Sequence, residues 1–298
     1  MPGYKEIELV AFPYGRLKKK IEEYAPDAIH IATEGPLGWA ARKYCLKNNI
    51  KFTTSYHTQF PDYVARRVCL FLPFLYKFVH KLGVMNMKLF HKPATALLIT
   101  TDSMAEELKS WGMEPPIHKF TRGIDTSLFY PGEKNLFQDL PKPVALYVGR
   151  LAIEKSVEEF LEMPWEGSKV VVGHGPDAEM LKKKYPDAVF TGKKVGKELA
   201  DHYRSADVFV FPSRTDTFGI VLIEALACGL PVAAHDVIGP RDVIVDDTLG
   251  CLDENLSRAA QKALTIGDAE TRSRHVTDNY TWDKAAQQFL DASQQTIK

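Results

Sequence analysis

The sequence predicts an α/β protein with parallel sheets and two domains. Residues 206–211 form an apolar run of strand length, residues 220–228 an apolar run of helix length, and residues 231–234 a second strand. A strand, a helix and a strand in this order are the building block of a parallel sheet. A length of 298 residues suggests two domains. The polar stretch 131–143, which contains several Pro and Gly residues, is interpreted as the interdomain linker.

The loop before the helix at residue 220 is the strongest candidate for a ligand site. It carries Asp216 and places Gly219 at the helix start, where free backbone N–H groups and the helix dipole favour an anion. Glu224 follows eight positions after Asp216 among apolar neighbours. Since carboxylates accept hydrogen bonds from sugar hydroxyls, the pattern predicts a ligand that is part polyol and part phosphate. The alternative is an ordinary loop in which Asp216 caps the helix and Glu224 faces solvent.

Composition narrows the function classes. The chain has 38 basic and 38 acidic residues, so no overall charge recruits nucleic acid. The cysteines show no metal-binding spacing, which suits a reducing compartment, and we expect Cys228 to be buried: Cys45, Cys69, Cys228 and Cys251. The N-terminal residues show no basic region followed by an apolar core, and no apolar run is long enough to span a membrane. We therefore expect a cytoplasmic protein.

In the first half of the chain, His57 is the candidate functional residue. It follows a predicted strand, and ligands of open α/β sheets sit outside the carboxyl ends of strands. The loop around Glu34 also follows a strand. A histidine at such a position is, taken alone, more often structural. The predicted elements of this half are strands 7–12, 28–32, 52–56 and 96–101 and helices 16–24, 39–47 and 104–111.

In the second half, Arg150 and Lys155 follow the predicted strand Val144–Val148 beside a glycine. Two cations at a strand end suit a diphosphate, although the same residues also fit a solvated loop. The other predicted elements here are strands 169–172, 188–191 and 243–245 and helices ending at 184 and covering 256–264 and 283–296.

Residues 64–92 mix basic and bulky apolar side chains and contain no acid. Such a composition suits an interface with anionic lipid. The alternative is a pair of packed helices with a solvated basic edge, and the sequence does not decide between them. Pro73 and Gly83 are expected to break the segment into shorter helices.

Residues 216–224 resemble the acidic-x7-acidic signature of retaining GT-B glycosyltransferases of the GT4 type, E-x-F-G-x-x-x-x-E, with Asp216 at the first acidic position. An aspartate there resembles the sulfolipid-synthase-like and GDP-mannose-dependent α-mannosyltransferase branch. Residues 55–63 resemble the same branch, and residues 149–155 resemble the family motif G-R-L-x-x-E-K. The resemblance implies the GT-B fold, in which two Rossmann-like domains with parallel sheets face each other across a cleft. These domains would be residues 1–130 and 143–280, with a last helix, 281–298, packed back on the first domain.

The resemblance also implies a retaining hexosyltransferase that uses GDP-mannose or a UDP-hexose. His57 and Asp216 would hold the transferred sugar, Glu224 the ribose, and Arg150 and Lys155 the diphosphate. The remaining residues implied for the nucleotide-sugar site are Gly175, Lys193, Val195, Phe218, Gly219 and Ile220. The chain has no D-x-D sequence, so we expect neither a metal nor another cofactor. The expected acceptor is a lipid or a glycan, and residues 64–92 would place the protein on the inner face of the plasma membrane.

Two other hypotheses remain open. Family members begin with a strand, a glycine-rich loop and a helix, and nothing of that kind precedes Ile7. A first βαβ portion is therefore expected to be missing, which would leave a nucleotide-sugar-binding protein of impaired or no activity. Residues 173–178 match the dinucleotide pattern G-x-G-x-x-A. Lys193 rather than an acid follows the next strand, which argues against an NADP-dependent oxidoreductase.

Overall fold

The computed structural model describes residues 10–57, 61, 65 and 73–296. The chain divides into two compact units. The first comprises the residues up to Thr121 together with those from Ala286 onward, and the second is Arg122–Ala285. Residues 131–143, the expected linker, lie inside the second unit.

The first unit contains a sheet of parallel strands in the order β1-β2-β3-β4, with helices between successive strands. Its elements are α1 (Tyr14–Tyr24), β1 (His30–Ile31), α2 (Pro36–Lys47), β2 (Thr53–Tyr56), α3 (Tyr76–His91), β3 (Ala96–Ile99), α4 (Asp102–Ser110) and β4 (Ile117–Lys119). Strand β3 is buried on both faces, as expected for a parallel sheet covered by helices. Thr101 caps α4 as predicted, because its Oγ1 accepts a hydrogen bond of 3.3 Å from the backbone N–H of Met104.

Two predictions for this unit are wrong. Of the predicted strand 7–12, residues 7–9 lie outside the described residues, and residues 10–12 are not in a strand because Phe12 has a φ of 50°. Gly83 does not break α3, which continues to His91. A Cβ on Gly83 would lie 3.0 Å from the Cα and Cβ of Pro61, so this glycine permits close packing within a continuous helix.

The second unit contains a larger parallel sheet in the order β10-β9-β8-β5-β6-β7. Its elements are β5 (Val144–Val148), α5 (Val157–Glu162), β6 (Ser168–Val172), α6 (Ala178–Lys184), β7 (Val189–Gly192), α7 (Gly196–Ser205), β8 (Val208–Phe211), α8 (Ile220–Ala227), β9 (Val232–Ala234), α9 (Pro240–Val243), β10 (Gly250–Leu252), α10 (Leu256–Ala263) and α11 (Ala269–Asn279). The helix α12 (Trp282–Ser293) follows and continues into the first unit. These two parallel sheets confirm the predicted α/β fold class.

Helices cover both faces of the larger sheet. Successive residues of β5 alternate between two apolar cores, with Leu146 in one and Tyr147 in the other. The strand is fully buried for this reason, which explains its continuous apolar sequence.

The predicted strand 243–245 is wrong. Gly239 has a φ of 95°, Pro240 is the first helical residue, and the carboxylate of Asp242 accepts a hydrogen bond of 3.2 Å from the N–H of Gly239. These features start the short helix α9 at this point. The edge strand is β10 instead, which pairs with β9.

The strand order reverses direction at β5. This strand pairs with β6 on one side and with β8 on the other. In open α/β sheets such a switch point leaves a crevice outside the carboxyl ends of the two diverging strands, and ligands bind there. A ligand site is therefore expected at the loops after β5 and β8.

Candidate active site

An ion pair joins the two loops at the switch point. Lys155 ends a short 3-10 helix after β5, and its ammonium group pairs with Oδ1 of Asp216 in the loop after β8. Both side chains are partly exposed. The other carboxylate oxygen of Asp216, Oδ2, is buried and has no hydrogen-bond partner among the residues described. Because a buried carboxylate oxygen normally has a donor, Asp216 retains the capacity to bind a hydroxyl group.

A tyrosine that the sequence analysis missed supports the loop after β5. The hydroxyl of Tyr147 donates a hydrogen bond of 2.9 Å to the backbone carbonyl of Arg150. Burial raises the pKa of Tyr147, and the negative charges of Asp216 and Glu154 raise it further. The hydroxyl therefore stays protonated and acts as a donor. Tyrosine in an otherwise aliphatic strand is the sequence signal that could have indicated this role.

Glycines allow the loop after β6 to pack directly on the loop after β5. The N–H of Leu151 donates to the carbonyl of His174 at 3.1 Å. A Cβ on Gly173 would lie 1.8 Å from the carbonyl oxygen of Gly149, and one on Gly175 would lie 2.2 Å from that of Leu151. Gly175 is thus placed beside the Arg150 loop, as a backbone packing residue. This packing accounts for the glycines of the dinucleotide-like pattern.

The helix α8 begins with Gly219 in the left-handed region, at a φ of 80°. This conformation turns the chain from the Asp216 loop into the helix, and it is costly for residues with a side chain. Ile220 is exposed at the helix start, whereas Phe218 is buried, with its ring centroid 5.6 Å from that of Tyr280. Phe218 therefore anchors the loop in the core.

Glu224 lies one turn inside α8 and is held by a second tyrosine. The hydroxyl of Tyr203, on α7, donates a hydrogen bond of 2.9 Å to Oε2 of Glu224. Burial raises the pKa of Glu224, while this hydrogen bond acts in the opposite direction. Tyr203 is itself fully buried, which raises its pKa. A carboxylate held in this way is not on a solvated helix face, so that alternative for Glu224 is wrong.

Lys193 and Val195 lie further along the sheet from the Asp216 loop than Arg150 and Lys155 do. Their loop follows β7, at the edge of the sheet, and two strands, β5 and β6, separate it from β8. Both residues are exposed. The carbonyl of Gly192 accepts a hydrogen bond of 2.9 Å from the N–H of Gly173, which connects this loop to the one after β6. The predicted residues of the second unit therefore lie in loops after strands, at the start of α8 or, for Glu224, one turn inside that helix.

His57 belongs to the first unit. It directly follows β2, and its ring centroid is 6.4 Å from that of Phe120. A second histidine, His91, is buried near the same strand and was not singled out from the sequence. Its Nδ1 lies 2.9 Å from Oγ1 of Thr54, and its Nε2 lies 3.2 Å from Oε1 of Glu34. The Glu34 loop is thereby fixed to β2 and α3.

Potential metal ligands are scattered in the described part of the chain. It contains no group of three or more His, Cys, Asp or Glu side chains arranged to hold a metal ion. The described cysteines are free and buried, as expected for Cys228: Cys45, Cys228 and Cys251.

Two sequence models of glycosyltransferases match the chain. The model described as "Glycosyltransferase Family 4" matches residues 1–128, and the model described as "Glycosyl transferases group 1" matches residues 142–267. Together they leave residues 129–141 and 268–298 unmatched.

Matches to named relatives cover most of the chain. It is 32% identical over 247 residues to the GDP-mannose-dependent alpha-mannosyltransferase of Mycobacterium tuberculosis (strain CDC 1551 / Oshkosh), which covers 80% of this chain and 63% of that protein. It is 28% identical over 310 residues to the sulfoquinovosyl transferase SQD2 of Arabidopsis thaliana, a match that covers 95% of this chain and 59% of that protein. The chain thus spans about three fifths of the length of these curated relatives.

The fold is also found in solved structures. The sucrose-phosphate synthase of Thermosynechococcus elongatus superimposes with a TM-score of 0.79 at 24% identity, over 95% of this chain and 76% of that one. This likeness supports the α/β architecture with two parallel sheets.

Proposed function

The chain belongs to the family 4, or group 1, glycosyltransferases, and on that premise we propose that it transfers a hexosyl group from a nucleotide-diphosphate sugar to an acceptor hydroxyl with retention of configuration. One observation carries the proposal: the Lys155–Asp216 ion pair at the switch point of the larger sheet. It places a cation for a diphosphate next to a carboxylate for a sugar, at the position where α/β sheets bind ligands.

The charges support a division of roles. Arg150 and Lys155 would meet the diphosphate, with the N-terminus of α8 adding the positive end of its dipole. Oδ2 of Asp216 would accept a hydrogen bond from a sugar hydroxyl, because it has no partner among the described side chains and backbone groups. Glu224 would bind the ribose. These cations make a metal ion unnecessary for charge balance in the proposal.

In the proposed reaction, the acceptor attacks the anomeric carbon of the donor sugar from the same face as the leaving phosphate departs. The bond from that carbon to the donor phosphate oxygen breaks, and a bond to the acceptor oxygen forms on the same side. The acceptor proton passes to the departing phosphate, and the nucleoside diphosphate leaves. Arg150 and Lys155 would stabilise the charge that develops on the phosphate. Electrostatic stabilisation of this kind is usually the largest single contribution to enzymatic catalysis. His57 would hold the transferred sugar, a role proposed from the resemblance alone.

GDP-mannose is the proposed donor, and a lipid or glycan hydroxyl the proposed acceptor. The donor choice rests on the name of the mycobacterial relative and on Asp216 at the first acidic position. A nucleotide-sugar-binding protein without activity is not favoured, since the mycobacterial and Arabidopsis relatives are both named as transferases.

The experiment is a transfer assay with GDP-mannose, UDP-glucose and UDP-galactose. Acceptors are diacylglycerol in mixed micelles and the soluble methyl α-mannoside, and NMR gives the anomeric configuration of the product. We expect transfer from GDP-mannose with an α-linked product, and loss of transfer in Asp216→Asn. A β-linked product, or equal transfer by Asp216→Asn and the wild type, would contradict the proposal.

A further inference from the structure

Helix α3 exposes its apolar side chains to solvent. Its exposed face and the turn before it carry five large apolar residues that are 44–77% exposed: Phe74, Phe78, Leu82, Met85 and Leu89. Their spacing of three or four residues places them in one stripe along the helix. The opposite face, with Met87, Phe90 and His91, is buried in the unit. An ordinary surface helix has polar residues where α3 has this stripe.

The stripe borders a groove with a volume of about 660 Å³. Seven apolar side chains line it: Phe78, Leu82, Val84, Met85, Leu89, Trp111 and Met113. The residues at 111–114 follow α4, so the groove lies between two elements of the same unit. Contiguous exposed apolar surface of this kind marks an interaction site in proteins.

Positive charge accompanies the stripe. Four lysines lie on α3 or directly after it, and α3 contains no acid: Lys77, Lys81, Lys88 and Lys92. Glu114 is the one acidic residue among those lining the groove, and it forms a 3.0 Å ion pair with Lys92. An apolar face flanked by lysines is the arrangement that lies in a membrane interface, with the lysines near the phosphates of anionic lipids.

We propose that the face of α3 formed by Phe74, Phe78, Leu82, Met85 and Leu89 docks on an anionic membrane surface, with an acyl chain entering the groove beside Trp111. The lysines select the membrane by charge, and the stripe supplies the apolar burial. His91 fixes the helix to β2 and to the Glu34 loop through its contacts with Thr54 and Glu34. The docking surface is therefore rigidly attached to the first unit. In the described part of the chain, no helix is long and apolar enough to cross a membrane.

Vesicle co-sedimentation of the full chain tests the proposal. The vesicles contain phosphatidylcholine alone or phosphatidylcholine with phosphatidylglycerol, and neither donor nor acceptor is present. We expect binding to the anionic vesicles that weakens as salt rises. Each lysine removed should lower the partition coefficient about fivefold, so Lys77→Ala, Lys81→Ala and Lys92→Ala combined should lower it about a hundredfold. The matched control is Lys182→Ala, Lys183→Ala and Lys197→Ala, which removes the same charge from exposed positions of the second unit.

The apolar part needs its own variant. Phe78→Ser with Leu82→Ser and Leu89→Ser should abolish binding without loss of the fold, which circular dichroism checks, because all three side chains are exposed. Lipids brominated in their acyl chains should quench the wild-type tryptophan fluorescence, and Trp111→Phe should remove most of that quenching.

Equal binding to neutral and anionic vesicles, or equal losses in the lysine variant and its control, would overturn the proposal. Self-association that disappears in the serine variant, without vesicle binding, would assign the surface to a protein partner instead. Because no donor is present, failure here would leave the proposed transferase function untouched.

Discussion

The ammonium group of Lys155 and the carboxylate of Asp216 form an ion pair although 61 residues separate them in the sequence. The pair connects the carboxyl ends of β5 and β8, the two strands that diverge at the switch point of the sheet. Such a cation can bind a phosphate group, and such a carboxylate can accept a hydrogen bond from a hydroxyl group. In the proposed donor complex, the diphosphate competes for Lys155 and a sugar hydroxyl binds Asp216.

Asp216→Asn should separate nucleotide binding from sugar transfer. The substitution removes the negative charge that balances Lys155, so GDP should bind at least as tightly as in the wild type. Transfer should fall about tenfold to a hundredfold, since a hydrogen bond to a charged acceptor contributes about 1.5–3 kcal/mol. Calorimetry with GDP and the transfer assay measure the two effects. Asp187→Asn, at an exposed loop position, is the control. Weaker GDP binding in Asp216→Asn would refute this division of roles.

Glu224→Gln should stabilise the fold at neutral pH. Burial raises the pKa of Glu224 above its ordinary value of 4.5, so the folded state binds more protons than the unfolded state between that value and the raised one. The stability of the wild type therefore falls as pH rises through this window. Glutamine keeps the acceptor for the Tyr203 hydroxyl and carries no charge. Thermal unfolding should show a higher midpoint for Glu224→Gln at pH 7 and none of this gain at pH 3, below the ordinary value.

The same variant should lose nucleotide affinity, because a neutral amide is a weaker acceptor for ribose hydroxyls. A lower unfolding midpoint at pH 7 would show that the buried charge is compensated in the fold. Unchanged GDP affinity would remove Glu224 from the nucleotide site.

Gly175→Ala should displace the loop after β5, which carries Arg150 and Lys155, without itself contacting a ligand. A Cβ at this position would lie 2.2 Å from the carbonyl oxygen of Leu151, so the loops after β5 and β6 must move apart. We expect a loss of about 1–3 kcal/mol in unfolding free energy and weaker GDP binding. The control is Gly15→Ala in α1, where the added Cβ meets no described atom within 4 Å. Chemical denaturation and calorimetry measure both effects, and wild-type behaviour of Gly175→Ala would show that these loops adapt freely.

The sequence predicted the parts of this structure that depend on local patterns. Fully buried parallel strands such as β5 and β8 read as continuous apolar runs, and Thr101 is recognisable as a helix cap. The Asp216 loop was found because a carboxylate and a glycine before an apolar helix are an unusual combination. Its place at the end of a strand followed from the same pattern.

Features that depend on tertiary contacts could not be predicted in this way. The strand order places the loops of Lys155 and Asp216 next to each other, and no local pattern encodes that neighbourhood. The short edge strands β4 and β10 pair through backbone groups and carry weak apolar patterns. Tyr203 supports Glu224 from another helix, so only packing shows the relationship.

The most direct test of the account is the calorimetric affinity of Lys155→Ala for GDP. If this lysine meets the diphosphate, the dissociation constant should rise about thirtyfold, which corresponds to about 2 kcal/mol for a charge-assisted hydrogen bond. Lys182→Ala, at an exposed position of α6, should bind GDP as the wild type does. If folded Lys155→Ala binds GDP with wild-type affinity, the nucleotide does not bind at the switch point of the second unit, and the central claim is wrong.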